Sequence, residues 1–516
     1  MANHSRPLNL PALLLSALLA ALVLGTALTL AFRADQFMLR PAEWSALRFT
    51  VKQAALSALL SALLSIPLAR ALARRRFPGH GLVVTLLGAP FLLPVVVAVL
   101  GILSVYGKTG IVTQALTFFH LPTPTIFGLQ GVLLTNVFFN LPLCTRILLN
   151  GWQSIPTERF RLAETLNLPA TARFRHLELP MLRETLPGAT VTVFLLCLTS
   201  FVVSLTFGGG PKATTLELAI YQALRFDFDL GRAALLACLQ FGLCALTVTL
   251  TAHFIRQAGF GAGLDRALPI PATKGLSFAL DVVVIALALA FLMVPLAMVV
   301  RDGVPGLTRL PQPIWLAAVR SVIMALTSGL LALTGALILT CAVAANTRCI
   351  WLIEGAAMLP MAASGLVLGT GIFLLLQPFT APQTLALPIT ILVNAAMALP
   401  ILYRLLLPET RALNRDYARL SATLNLHGIP LLRYVTLPRL ARPLGLGGGI
   451  AVALSMGDLG VVALFAGNDN ATLPLMINRL AAAYRMQQAA SAALLLVALS
   501  FALFALFDRG GRHVAP

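Results

Sequence analysis

The sequence predicts an all-α membrane protein, with twelve transmembrane helices built as two fused, parallel six-helix halves. Three observations predict it. The 516 residues are 59% hydrophobic and only 11% charged, and mean hydropathy is +0.90, whereas soluble domains run near a quarter charged. Twelve apolar runs reach the roughly 20 residues that a membrane-crossing helix requires. A set of polar residues repeats at one offset, half a chain apart. Disorder is excluded by the high hydrophobicity. A β-barrel is excluded because alternating strands would give far lower mean hydropathy.

The runs fall at 10–32, 50–73, 82–106, 126–149, 188–207, 232–254, 277–300, 317–345, 350–376, 385–407, 445–466 and 487–508. The first follows Arg6 and is long for the apolar region of a signal peptide; with further spans behind it, it reads as a membrane helix. The second ends in the cluster Arg70, Arg74, Arg75 and Arg76. The third ends in Gly101–Gly107 followed by Lys108 and Thr109, one residue too long for a phosphate-binding loop. The fourth carries Asn136, Pro142 and Arg146, and the tenth carries Asn394, Pro400 and Arg404 at the same spacing. Arg320 and Glu354 lie near the ends of the eighth and ninth. The eleventh holds an acid, Asp458, between Gly457 and Gly460. Polar segments separate the fourth span from the fifth, at 150–187, and the tenth from the eleventh, at 408–444.

Those two segments align at an offset of 258 residues, the distance from Asn136 to Asn394. In the same register Thr165-Leu166-Asn167-Leu168 pairs with Thr423-Leu424-Asn425-Leu426, Arg175 with Arg433, and Leu179-Pro180 with Leu437-Pro438. Further on, Phe207 pairs with Phe465, Gly209 with Gly467 and Ala213-Thr214 with Ala471-Thr472. Apolar composition gives chance matches of Leu and Ala; it does not give Asn, Arg, Pro and Thr in one register. The halves are expected at 1–258 and 259–516, joined near 255–276. An even number of spans in each gives both the same orientation.

The chain has 37 basic and 18 acidic residues, a net charge of +19. The basic residues flank apolar runs and form no single patch, so no nucleic-acid partner is expected. The bias of Lys and Arg toward the cytoplasmic side explains them instead. It places both polar segments and both termini in the cytoplasm. None of the six cysteines forms a CxxC, no HExxH occurs, and the histidines, His176 and His427 among them, are scattered. No catalytic site, metal or cofactor is expected, and transport or a membrane scaffold remains. Intramembrane charge is costly and usually functional, which makes Asp458 a pathway or gating candidate. The alternative is a structural role, bonding backbone groups freed by the neighbouring glycines.

The polar segments repeat a pattern. Each begins with an acid after a turn signal, Pro156-Thr157-Glu158 and Asn414-Arg415-Asp416. A short helix follows, with Leu162 and Leu166, or Leu420 and Leu424, on one face. Asn167 and Asn425 suit a left-handed helix end. Each segment closes on Leu-Pro before the next span.

These segments, at 158–180 and 416–438, resemble the EAA loop of permease subunits from binding-protein-dependent ABC importers. The family pattern is Glu-Ala-Ala, three residues, Gly, nine residues, then Ile-x-Leu-Pro. The spacing matches twice, with Arg161 and Arg419 at the Glu position and Asn167 and Asn425 at the Gly position. The resemblance implies a docking surface for a cytoplasmic ABC ATPase of two copies, on which ATP is hydrolysed. Its residues would be Glu158, Arg161, Leu162, Ala163, Asn167 and Pro180, with Asp416, Arg419, Leu420, Ser421, Asn425 and Pro438. Three further stretches, Leu93–Gly107, Gly208–Gln222 and Gly457–Phe465, are similar to the permeases of thiamine ABC importers, a likeness that runs over nearly the whole chain. Ferric-iron importer permeases share the layout and a similar Gly-Asp, and are the alternative. A secondary carrier would put its long polar link between the halves. The resemblance thus implies two type I importer permease halves in the lipid bilayer of a bacterial inner membrane. They would carry thiamine or its phosphates from a periplasmic thiamine-binding protein.

Overall fold

The computed structural model describes residues 9–34, 38–87, 93–123, 125–208, 210, 213–254, 275–345, 349–426, 428–467 and 470–514. Arg6, Gly209, Pro211, Lys212, His427 and the expected junction near 258 lie outside them. The described residues form an all-α membrane protein with eleven helices long and apolar enough to cross a bilayer, or twelve if one bent pair is a single span. The twelve are labelled in chain order: α1 Leu10–Arg33, α2 Pro41–Arg74, α3 Val95–Tyr106, α4 Leu129–Ser154, α5 Leu179–Leu198, α6 Leu230–Phe254, α7 Leu276–Gly303, α8 Gln312–Ala344, α9 Gly365–Leu376, α10 Ala386–Thr423, α11 Leu437–Met456 and α12 Met486–Val514.

Several ends differ from expectation, each for a local reason. The third span begins at Val95, not near 82, because Pro94 holds extended backbone and caps α3; a proline cannot continue a helix begun upstream. The ninth is the bent pair, Ile350–Ala362 and Gly365–Leu376, turning by 95°. There Ser364 caps α9, its Oγ accepting from Val367 N at 3.1 Å. The fifth and eleventh start earlier than 188 and 445, at their Leu-Pro pairs, since proline fits the first helical turn. Both then break. α5 stops at Leu198 and a short helix, Phe201–Phe207, follows; α11 stops at Met456 and Gly460–Phe465 follows. The tenth span does not stop at 407 but runs on through the polar segment to Thr423.

Polar side chains inside the bundle tie the spans together. Leu216 N–H donates to Thr50 Oγ1 of α2 at 2.8 Å, and Leu473 N–H donates to Ser321 Oγ of α8 at 2.8 Å. These amides open the short helices Leu216–Arg225 and Leu473–Ala482, whose N-caps are Thr215 and Thr472. The expected pairing of Thr214 with Thr472 is therefore one residue out of register: Thr215 holds the matching place. Deeper in, Asn136 donates to Gln53 at 2.8 Å and Ser57 at 3.2 Å, while Asn394 and Ser328 donate to Ser455 at 3.1 and 2.7 Å. Each such bond is worth about 0.6 kcal/mol between membrane helices. They fix rotation about the helix axes more than they add stability.

Packing is interleaved. α1 lies against α6, α8 and α9, and α7 lies against α2, α3 and α12. Glycine permits close crossings of α7 on α3 and of α1 on α9. A methyl group at Gly101 of α3 would sit 2.6 Å from the Pro295 carbonyl oxygen of α7, and one at Gly371 of α9 would sit 2.6 Å from Thr26 Cβ of α1.

Candidate functional site

The polar segments lie at one end of the bundle, beside the last turns of α2 and α8. In the first, α4 stops at Ser154 and Pro156 caps a separate helix, Thr157–Thr165. In the second, the matching helix is the last part of α10, and the expected turn at Asn414-Arg415-Asp416 is absent. Pro156 makes the difference: its missing N–H and fixed φ interrupt the first chain, and Asn414 imposes neither.

Beyond that point the two segments share one geometry. Thr165 Oγ1 donates to Arg161 O at 3.0 Å, and Thr423 Oγ1 donates to Arg419 O at 2.9 Å. Leu168 N–H reaches back to Ala163 O at 3.0 Å, and Leu426 N–H to Ser421 O at 2.9 Å. Between them Asn167 and Asn425 are left-handed, with φ of 49° and 52°. This is the Schellman helix end, with Asn in the place glycine usually takes. One turn of π-helix follows in each, Phe174–Glu178 and Leu432–Thr436, and opens into the Leu-Pro start of α5 or α11.

The two helices present matching surfaces. Leu162, Leu166, Leu420 and Leu424 are between 51% and 61% exposed, four apolar side chains left largely open by the described residues. Glu158, Arg161, Asp416 and Arg419 on the same helices are exposed, as are Asn167, Asn425 and Pro180; Pro438 is half-buried. Ala163 and Ser421 are buried. They face the protein and hold each helix down instead of lining its outer surface.

Asp458 lies away from both segments, at the break between α11 and Gly460–Phe465. Its Oδ2 is buried with no hydrogen-bond partner. The break packs against others: a methyl at Gly457 would meet Pro94 Cα at 3.1 Å, and one at Gly460 would meet the Phe201 ring at 3.7 Å. Asp458 thus sits where the starts of α3 and Phe201–Phe207 meet α11. The Phe201 ring stacks edge-on against Tyr221 at 5.3 Å. Glu354, expected near a span end, pairs with Arg411 of α10 at 2.8 Å.

Sequence reasoning missed one cluster beside the first segment. Glu178 ends the π turn and is buried, and its carboxylate accepts from Arg70 at 2.6 and 3.2 Å and from Arg74 at 3.1 Å. The Arg70 guanidinium also lies 4.8 Å over the Phe174 ring. The arginines were legible only as part of a positive cluster. The signal that could have found their partner is the lone acid directly before Leu179-Pro180.

No family model matches the chain. Whole proteins do. It is 39% identical over 476 residues to the thiamine transport system permease protein ThiP of Brucella abortus (strain 2308), covering 90% of this chain and 87% of that protein. It is 39% identical to the protein of the same description from Salmonella typhimurium, over 99% of each. A third, from Escherichia coli (strain K12), is 39% identical over 91% of this chain and 90% of its own length.

Proposed function

The chain belongs to the family of thiamine transport system permeases, and from that premise we propose that it is the membrane subunit of an ATP-driven importer of thiamine. The full-length likeness carries this reading, because it runs through both polar segments and all twelve spans. ATP is hydrolysed on a separate cytoplasmic ABC ATPase present in two copies. A periplasmic thiamine-binding protein delivers the substrate to the opposite face, where residues 208–231 and 467–486 receive it. The chain lies in the bacterial inner membrane with both termini in the cytoplasm, the side on which most of its Arg residues fall.

Residues 1–258 and 259–516 act as the two permease halves. The paired bonds from Leu216 to Thr50 and from Leu473 to Ser321 support this, as do the paired Schellman ends. The exposed faces around Leu162 and Leu166, and around Leu420 and Leu424, dock one ATPase copy each. Glu158, Arg161, Asn167 and Pro180 border the first; Asp416, Arg419, Asn425 and Pro438 border the second. Ala163 and Ser421 seat the two helices. When ATP closes the ATPase dimer, both helices move together and the halves rock between inward- and outward-facing states. Asp458, whose Oδ2 is buried with no hydrogen-bond partner among the described residues, would meet a cation on that path. Thiamine carries a fixed positive charge on its thiazolium ring.

A strain unable to make thiamine and deleted for this gene tests the reading. It should fail to grow on low external thiamine, and recover at high concentration or when the gene is restored. Unchanged thiamine uptake in the deletion, with loss of iron uptake, would move the substrate to ferric iron and leave the permease architecture standing.

A further inference from the structure

Two segments that share a surface are joined to the membrane in different ways. The second docking helix is continuous with α10, one helix of 38 residues, about 57 Å along its path. The first is cut from α4 at Ile155-Pro156. A push on it cannot travel up α4 as along a rigid rod. It has another connection. Glu178 binds Arg70 through two hydrogen bonds and Arg74 through a third, and Phe174, at the other end of the same π turn, stacks on Arg70. Both arginines lie in the last turns of α2. The far part of α2 holds Leu216 through Thr50 and Arg232 of α6 through an ion pair with Glu43.

Among the described residues, the second half has no such clamp. In the register set by Thr50 with Ser321, Cys341 of α8 and Ala345, its C-cap, stand where α2 has Arg70 and Arg74. Thr436 stands where the first segment has Glu178, and its hydroxyl donates to Leu431 O, just before its own π turn, at 3.3 Å. α8 is instead tied to α10 before the docking helix begins, by Asn414 donating to Ala344 O at 2.6 Å.

We infer that Glu178 is a positioning residue that couples the first ATPase-docking helix to α2, so that the two halves are driven through different spans: α2 in the first and α10 in the second. The inference rests on the docking reading above. The clamp suits the task. A buried carboxylate held by two guanidinium groups has fixed geometry, and losing one partner leaves buried charge uncompensated. A connection of that kind moves as a unit instead of slipping.

The test uses the complete complex of permease, ATPase and thiamine-binding protein in proteoliposomes, and reads thiamine taken up per ATP hydrolysed. Only complexes that co-purify with the ATPase are assayed. Glu178→Gln should lower that ratio about tenfold while ATP hydrolysis continues. Arg70→Met in the Glu178→Gln background should lower it less than twofold further, since the connection is already lost. Glu354→Gln, at the half-exposed ion pair with Arg411, should change it less than twofold. A Glu178→Gln ratio within twofold of wild type overturns the inference. If Glu178→Gln does not assemble, Arg70→Lys decides: it keeps the charge and loses the two-pronged contact, so a severalfold lower ratio supports the coupling and a wild-type ratio overturns it. A wild-type complex that takes up no thiamine with ATP counts against the proposed function, not against the clamp.

Discussion

Asp458 and Asn167 show two ways in which one side chain answers to backbone. Asn167 and Asn425 adopt positive φ, which costs most residues about 1–2 kcal/mol and Asn less. Their role followed from residue type alone, since few residues other than Gly and Asn end a helix in that way. Asp458 was legible as an acid in an apolar run, but its place at a helix break was not, because the break depends on Gly457 packing against Pro94. Asp458→Asn keeps its size and removes its charge. Uptake of thiamine by cells should fall about tenfold to a hundredfold, the value of a hydrogen bond to a charged group, with the protein present in the membrane at normal level. Near-normal uptake would make Asp458 a purely structural residue. Glu178 was illegible for a different reason. Its partners stand 104 and 108 residues away, and no local pattern selects among the available arginines.

Among the elements, the two docking helices were legible from spacing, and their connections were not. Leu162, Leu166, Leu420 and Leu424 repeat in one register and are exposed. The burial of Ala163 and Ser421 was unforeseen, because a short polar helix gives little sign of which side its protein lies on. Covering the exposed half of two leucines contributes about 2–3 kcal/mol. Leu162→Asp with Leu166→Asp, or Leu420→Asp with Leu424→Asp, should therefore lower ATPase co-purification more than tenfold for either pair, with membrane insertion intact. Normal co-purification in both would place docking elsewhere. The broken first helix and the continuous second helix differ by one proline at the start of the segment. Pro156 was visible, but Pro400 and Pro408 lie inside α10 without ending it. A bundle that supplies packing on all sides tolerates a kink that an isolated helix would not.

At the scale of the whole molecule, hydropathy alone gave twelve spans, since each must bury its own backbone bonds in lipid. Which span packs on which was hidden, because lipid tails and leucine are equally apolar and the contacts depend on small residues. Gly101 and Gly371 are such residues. Gly101→Ala would press a methyl group against a carbonyl oxygen that cannot retreat, costing about 1–3 kcal/mol. Gly355 has open space around it. Detergent-solubilised Gly101→Ala and Gly371→Ala should lose their fold at clearly lower temperature than wild type, and Gly355→Ala at the same temperature. Equal stability of all four proteins would mean that α1 and α7 do not lie where these crossings put them.

The interleaved packing also sets a problem for the ribosome. α1 is made first, yet much of its apolar surface fits α8 and α9, and α9 emerges only after the chain from Arg33 to Gly365 has been synthesised. At about 5–20 residues per second this takes roughly 20 to 70 seconds. Through that interval α1 waits in lipid without α9, and it meets α6 and α8 only as each is made in turn. A nascent chain stalled before α9 would keep α1 exposed to the insertion machinery, and to the proteases that survey it.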